Sequence, residues 1–265
     1  MKFKINFTVL FFSIVILTMI IGKMFMPYDP NLVDMGSRLQ PLSAEHLLGT
    51  DNLGRDVFSR ILAGAWTTIT TGMIVLVIAL FIGVPVGLIS GYIGGKVDWI
   101  IMRVIDLFLA FPDYIVAIVV SGILGAGTVN LIIAIVVVKW VGYARLARSI
   151  VQSEKMKDYI SMAKINGLRF TSILIKHLMP HVVGNVMAVA TMDMGKILLM
   201  IASLSYIGLG VQPPNPEWGS MLNEGRTFFQ NAPHLMFAPG LAIMTVVLGA
   251  NIIGDSISRR YRIRD

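Results

Sequence analysis

Few side chains in this sequence could do chemistry, and several of them sit where charge is expensive. Asp193 and Lys196 lie three residues apart inside an apolar run, so on a helix they share a face and can form an ion pair. Charge within lipid is tolerated when it is paired or turned toward a polar path. The couple therefore reads either as a self-neutralising packing device or as part of a pore lining. Asp106 and Asp113 bracket Phe111-Pro112 in a second apolar run, which makes Asp106 a further pore candidate. Lys139 lies inside a third, with a stem long enough to snorkel toward the inner face. His46, His177, His181 and His234 are scattered along the chain. Imidazole ligates divalent transition metals, but isolated histidines do not make a metal site, and none is expected. The 17 methionines offer thioethers, yet Met is equally a filler of apolar helices.

Other chemistry is missing from the sequence. The chain has no cysteine, hence no disulfide, thiolate zinc site or cysteine nucleophile. Gly94-Gly-Lys-Val97 lacks the hydroxyl residue of a phosphate-binding loop. No nucleophile elbow or His-Glu-x-x-His is found either. The expectation is a chain that is not an enzyme and binds no cofactor itself.

The elements that must position these residues are membrane spans. Of 265 residues, 55% are hydrophobic and 14% charged, and the mean hydropathy is +0.76. Such sparse charge fits an integral membrane protein rather than a soluble domain. Apolar runs cover about 7–26, 68–91, 100–123, 128–147, 183–208 and 237–257, each near the ~20 residues needed to cross ~30 Å of hydrocarbon. One all-α domain, residues 1–265, with six transmembrane helices is expected. The net charge of +7 could suggest nucleic acid, but the basic residues flank the spans. With both termini inside, fifteen Lys and Arg fall on the inner side and five on the outer, as the preference of basic loops for the cytoplasm requires. No nucleic-acid partner is needed; the lipid bilayer is the partner.

The polar stretch at about 148–180 is the long hydrophilic interruption on the inner side. It carries Tyr159-Ile-Ser-Met-Ala163, Gly167 and His177-Leu-Met-Pro180. The pattern predicts two short helices broken at Gly167, with Pro180 ending the second.

These residues resemble the EAA loop of bacterial ABC importer permeases. In that family the loop supplies a coupling helix that sits in a groove of an ATPase subunit. The resemblance implies that role for Tyr159, Ser161, Met162, Ala163, Gly167, His177 and Pro180. Ser161-Met162-Ala163 stands where the family has Glu-Ala-Ala, so the acidic position is absent.

Two further segments extend the resemblance to the nickel/dipeptide/oligopeptide group. One is Leu48-Gly-Thr-Asp51 with Gly54-Arg55-Asp56, where Asp51 and Asp56 could cap helices and Arg55 could pair with either. The other runs from Ser205 to Leu222 and includes Gln212, Pro213, Pro214 and Trp218, the last suited to an interfacial aromatic belt. The resemblance makes Asp51, Arg55, Asp56, Gln212, Pro213, Pro214 and Trp218 an external gate and a docking platform for a solute-binding protein. A structural turn is the competing reading of the first segment.

The family also implies a second, homologous permease, two ATPase subunits that hold ATP and magnesium, and a bacterial inner membrane with both termini cytoplasmic. In wording the chain is nearest the nickel-type permeases, with di- and oligopeptide members alongside. A separate possibility is an ion-gradient-driven transporter using Asp193 and Lys196 as a relay without any ATPase.

Overall fold

Asp56 decides where the longest helix begins. Its carboxylate accepts the Ser59 N–H at 2.8 Å and caps α2, Val57–Ile93. The computed structural model describes residues 7–262, so Lys2, Lys4, Arg264 and both chain ends lie outside the described residues. At ~1.5 Å per residue the 37 residues of α2 reach ~55 Å, well beyond ~30 Å of hydrocarbon. The helix thus starts earlier than the apolar run at 68 suggests, because Ser59 and Arg60 hide its first turns. Before it, α1 covers Phe7–Gly22 and gives way to a 3-10 turn at Lys23–Phe25, within the expected first span.

The third span is not straight. It divides into α3, Gly95–Leu109, and α4, Asp113–Leu124, which meet at 88°. Pro112 has no N–H to continue the ladder and disfavours helical geometry at Phe111. Next, α5 spans Thr128–Glu154 and pairs with α3 at Arg148–Asp98, 2.5 Å, and Arg145–Asp106, 2.9 Å. From 98 to 106 α3 advances ~12 Å, while its partners on α5 differ by ~4.5 Å in height. So α3 crosses the bundle steeply, and α4 turns up along α5.

Short α6, Asp158–Ile165, follows the end of α5. After it, α7 (Phe170–Ser172), a π turn (Ile173–Leu178) and α8 (Met179–Tyr206) form one unbroken rod. Pro180 does not end a helix as the sequence suggests. It sits in the first turn of α8, where the widened π turn just ahead accommodates the missing N–H and the ring. The chain closes with α9, Trp218–Arg226, and α10, His234–Arg262.

Among the described residues there is no strand, only a single bridge between Thr50 and Asp56. Four helices are long and apolar enough to cross a membrane, and the bent α3–α4 pair makes five. With the 16-residue α1, six is an approximate count.

The tightest seam joins α2 to α5. Gly83, Gly87 and Gly91 recur every four residues and face the carbonyls of Trp140, Ala144 and Arg148, also spaced by four. A Cβ at Gly83 would lie 2.5 Å from the Trp140 oxygen and one at Gly91 2.9 Å from the Arg148 oxygen. Backbones approach this closely because small residues leave room, the usual way of packing helices in lipid.

Candidate coupling and translocation site

At one end of the bundle α6 is held by its inner face. Ile160 and Ala163 are buried with Ile173, Leu174 and Leu178 of the π turn. Glu154, at the end of α5, accepts from Lys157 Nζ and from the Tyr159 hydroxyl, both at 2.7 Å. Burial, then the neighbouring Glu154 carboxylate, pushes the Tyr159 phenol up to about 12. Lys155 and Lys164 each lie 5.5 Å over the ring of Tyr92, the penultimate residue of α2, and that ring meets Phe170 edge-on at 5.1 Å. His177 and His181 stand 6.3 and 6.1 Å from the Tyr159 ring. The short helix is therefore tied to α2, α5 and the rod of α8 together.

The outer face of α6 is bare. Met162 is 57% and Ile165 77% exposed, with Ser161 beside them. Positions 158, 161, 162 and 165 form one stripe at helical spacing. Just beyond, α6 ends in a Schellman motif, Leu168 N–H to Ala163 O at 3.1 Å and Gly167 N–H to Lys164 O at 3.0 Å. Gly167 has φ +72°, and a Cβ there would meet nothing within 4 Å. Its substitution therefore carries only conformational strain. Gly167→Ala is expected to cost ~1 kcal/mol of local stability, read as faster amide exchange across 158–168 with the bundle unchanged.

The other end carries a buried ionic network. Asp51 Oδ2 receives Arg55 Nε at 2.6 Å and Arg60 Nε at 3.5 Å; Glu224 of α9 receives Arg55 at 2.8 Å and Arg60 at 3.3 Å. Arg60 also reaches the Pro30 and Pro214 carbonyls at 3.1 and 3.5 Å. Asp56 caps α2 and receives His46 Nδ1 at 3.0 Å. Asp51, Arg55 and Asp56 are thus turned inward, each 5% exposed or less; these side chains brace the segment that precedes α2 and present no surface of their own.

Trp218 departs from the expected interfacial belt. It is 1% exposed, and its Nε1–H donates to the Ile61 carbonyl at 3.0 Å. Because α2 extends to Val57, a helical wall is there to bury the indole, and Gly64 leaves the space for it. Glu217 caps α9 through the Gly219 and Ser220 N–H groups, both at 3.0 Å, and accepts from Thr68 at 3.1 Å. Burial pushes the Glu217 carboxyl up, against the pull of those donors. Gln212, Pro213 and Pro214 remain exposed, with Gln212 Nε2 donating to the carbonyls of Gly208 and Gly210.

Between the two ends lie the charges within spans. Asp193 and Lys196 pair at 3.0 Å. Lys139 does not snorkel to the inner face; it bonds Asp113 at 3.1 Å and is 11% exposed, because the bend at Pro112 brings the start of α4 beside α5. Asp106 pairs with Arg145 and, at 3.6 Å, with Arg103. The sequence reading passed over Arg60, Glu154, Glu217 and Glu224. Glu217 directly before Trp-Gly-Ser carried a readable capping signal, and Glu154 three residues before Lys157 a readable ion pair; Arg60 and Glu224 are linked across far more sequence than local spacing spans.

Comparison with known proteins places this geometry. The sequence model of the binding-protein-dependent transport system inner membrane component matches residues 83–263. The nickel transport system permease protein NikC of Escherichia coli (strain K12) is 36% identical over 97% of this chain and 92% of its own length. The dipeptide transport system permease protein DppC of Alkalihalophilus pseudofirmus is 42% identical over 83% of this chain and 73% of its own. The glutathione transport system permease protein GsiD of Pectobacterium atrosepticum is 39% identical over 89% and 79%. In fold, the chain is similar to a chain of the MetNI methionine ABC transporter in inward-facing conformations, with TM-score 0.56 and 19% identity over 76% of this chain and 96% of that one. This chain belongs to the family of binding-protein-dependent transport system inner membrane components, the permease subunits of ABC importers.

Proposed function

We propose that the chain forms half of the pore of an ATP-driven importer whose cargo is nickel or a nickel chelate. The observation that carries the importer reading is α6: its inner face is locked to three long helices while its outer face offers Met162 and Ile165 to a partner. An ATPase subunit takes that face, and a second permease completes the pore. ATP and magnesium belong to the ATPase subunits. Closure of the ATPases draws the coupling helices together and rocks the bundles from inward- to outward-facing. ATP and the loaded binding protein each bias that equilibrium through their differential affinity for the two states. The α6 end, with the chain termini, lies in the cytoplasm, and the α9 end receives the external binding protein.

The cargo rests on the similarity to NikC, which runs over 97% of the chain. A second reading, short peptides, is favoured by the 42% identity to DppC. The test is purification of the assembled importer, followed by uptake of radiolabelled nickel and of a labelled dipeptide into proteoliposomes. An ATPase is expected to co-purify and vanadate to abolish uptake. Uptake that survives vanadate, with no ATPase bound, would overturn the proposal in favour of an ion-driven transporter.

A further inference from the structure

Helix α8 leaves a stripe bare that is narrow from Met192 to Ser203, while nearer its start Val183 and Met187 are exposed on the opposite side as well. Val182, Val186, Ala190, Ile197, Ile201 and Leu204 enter the core. Asn185, Met192, Lys196, Leu199 and Ser203 are exposed and recur at helical spacing, so they line one strip. Lys196 stands ten residues from the end of α8 at Tyr206, or ~15 Å along the axis, near the middle of a ~30 Å crossing. Its side chain is 70% exposed, and one contact to Asp193 at 3.0 Å occupies one of its three N–H donors. An ammonium left this bare at mid-depth cannot face hydrocarbon at tolerable cost. Behind it, Tyr143 of α5 is 2% exposed. Its hydroxyl has no hydrogen-bond partner among the described residues.

We infer that this stripe of α8 lines the translocation path and that Lys196, held in place by Asp193, contacts carboxylate groups on the passing cargo. The inference rests on the permease reading and narrows its cargo. A fixed ammonium with free donors recognises a carboxylate, whether from a peptide or from the organic shell of a nickel chelate, and repels a bare hydrated nickel ion.

Two experiments on the assembled importer test it. The native chain has no cysteine, so Met192→Cys and Ser203→Cys can each be probed alone with a membrane-impermeant thiol reagent. Phe81→Cys on α2, an apolar position 80% exposed, serves as the lipid-facing control. Labelling at 192 and 203 is expected at least ~10-fold faster than at 81; equally slow labelling at all three overturns the path assignment. The second experiment measures uptake of a nickel–histidine chelate, of a dipeptide and of nickel chloride. Lys196→Gln is expected to raise the KM for the carboxylate-bearing probe by ~10-fold or more, the worth of one charge-assisted hydrogen bond, and Lys196→Arg to restore most of it. The probe that responds identifies the carboxylate source. An unchanged KM, or Arg no better than Gln, overturns the contact. Labelling needs no ATPase, so a chain that recruits none defeats the permease reading while the stripe is still decided by the reagent.

Discussion

Met162→Asp combined with Ile165→Asp is expected to abolish ATP-driven uptake while leaving the bundle folded. Both side chains are mostly exposed, at 57% and 77%, so the change removes little packing within the chain. Ile160 and Ala163, which anchor α6 on its other face, are untouched. What is lost lies between chains. Two apolar anchors at the centre of an interface are worth ~2 kcal/mol or more each, and together that is a ~1000-fold weaker grip. Carboxylates placed there would also need desolvation without a partner. Uptake should fall by at least ~100-fold, with unchanged thermal stability of the isolated permease and loss of the ATPase from the purified complex. Undiminished uptake would show that the partner grips elsewhere.

The second large effect is at the seam of α2 and α5. Gly87→Val is expected to reduce the yield of folded, monodisperse protein by ~10-fold or more. A Cβ at Gly87 would fall far inside contact distance of the Ala144 carbonyl oxygen and 2.7 Å from the Ala147 Cβ. Neither neighbour is the end of a flexible side chain, so the helices themselves must part. Overpacking commonly costs ~1–3 kcal/mol, and here separation would also loosen the contacts at Gly83 and Gly91 along the same seam. The total stability available to a domain is ~5–15 kcal/mol. Gly142→Val on α5 is the matched control, because a Cβ there meets nothing within 4 Å. Equal yields from the two variants, by size-exclusion chromatography in detergent, would remove the glycine seam from the explanation of the fold.

Much of this architecture was legible in the order of apolar runs, since crossing a bilayer imposes length and hydropathy directly. The start of α5 at Thr128 and the Schellman stop at Gly167 follow from local chemistry. Legibility failed where long-range packing overrode a local signal. The first turns of α2 carry Ser59 and Arg60, which read as loop until Asp51 and Glu224 are seen to neutralise the arginine. Pro180 reads as a stop, yet the π turn preceding it lets the helix run on. Trp218 reads as an interfacial ring, although α2 continues far enough outward to bury it. The pairing of Asp113 with Lys139 depends on an 88° bend whose angle no spacing rule supplies.

The segment before α2 shows how a motif can be visible in sequence while its geometry is not. Asp51, Arg55 and Asp56 stand out as charged residues in a turn-rich stretch, as recognition residues also do. In the fold they face inward, and Arg60 and Glu224 complete their pairing from α2 and α9. Their network reaches the loop of Gln212, Pro213 and Pro214 through Arg60, which is bonded to the Pro214 carbonyl.

In the proposed function, α6 is the handle by which an ATPase moves this bundle. Met162→Cys, in a chain with no other cysteine, can be cross-linked in the assembled importer with a short bifunctional thiol reagent. A covalent adduct with the ATPase subunit is expected from position 162, its yield changing between ATP-bound and nucleotide-free states, and none from Phe81→Cys. Absence of that adduct, together with labelling of position 162 from the outer face of sealed cells, would contradict it.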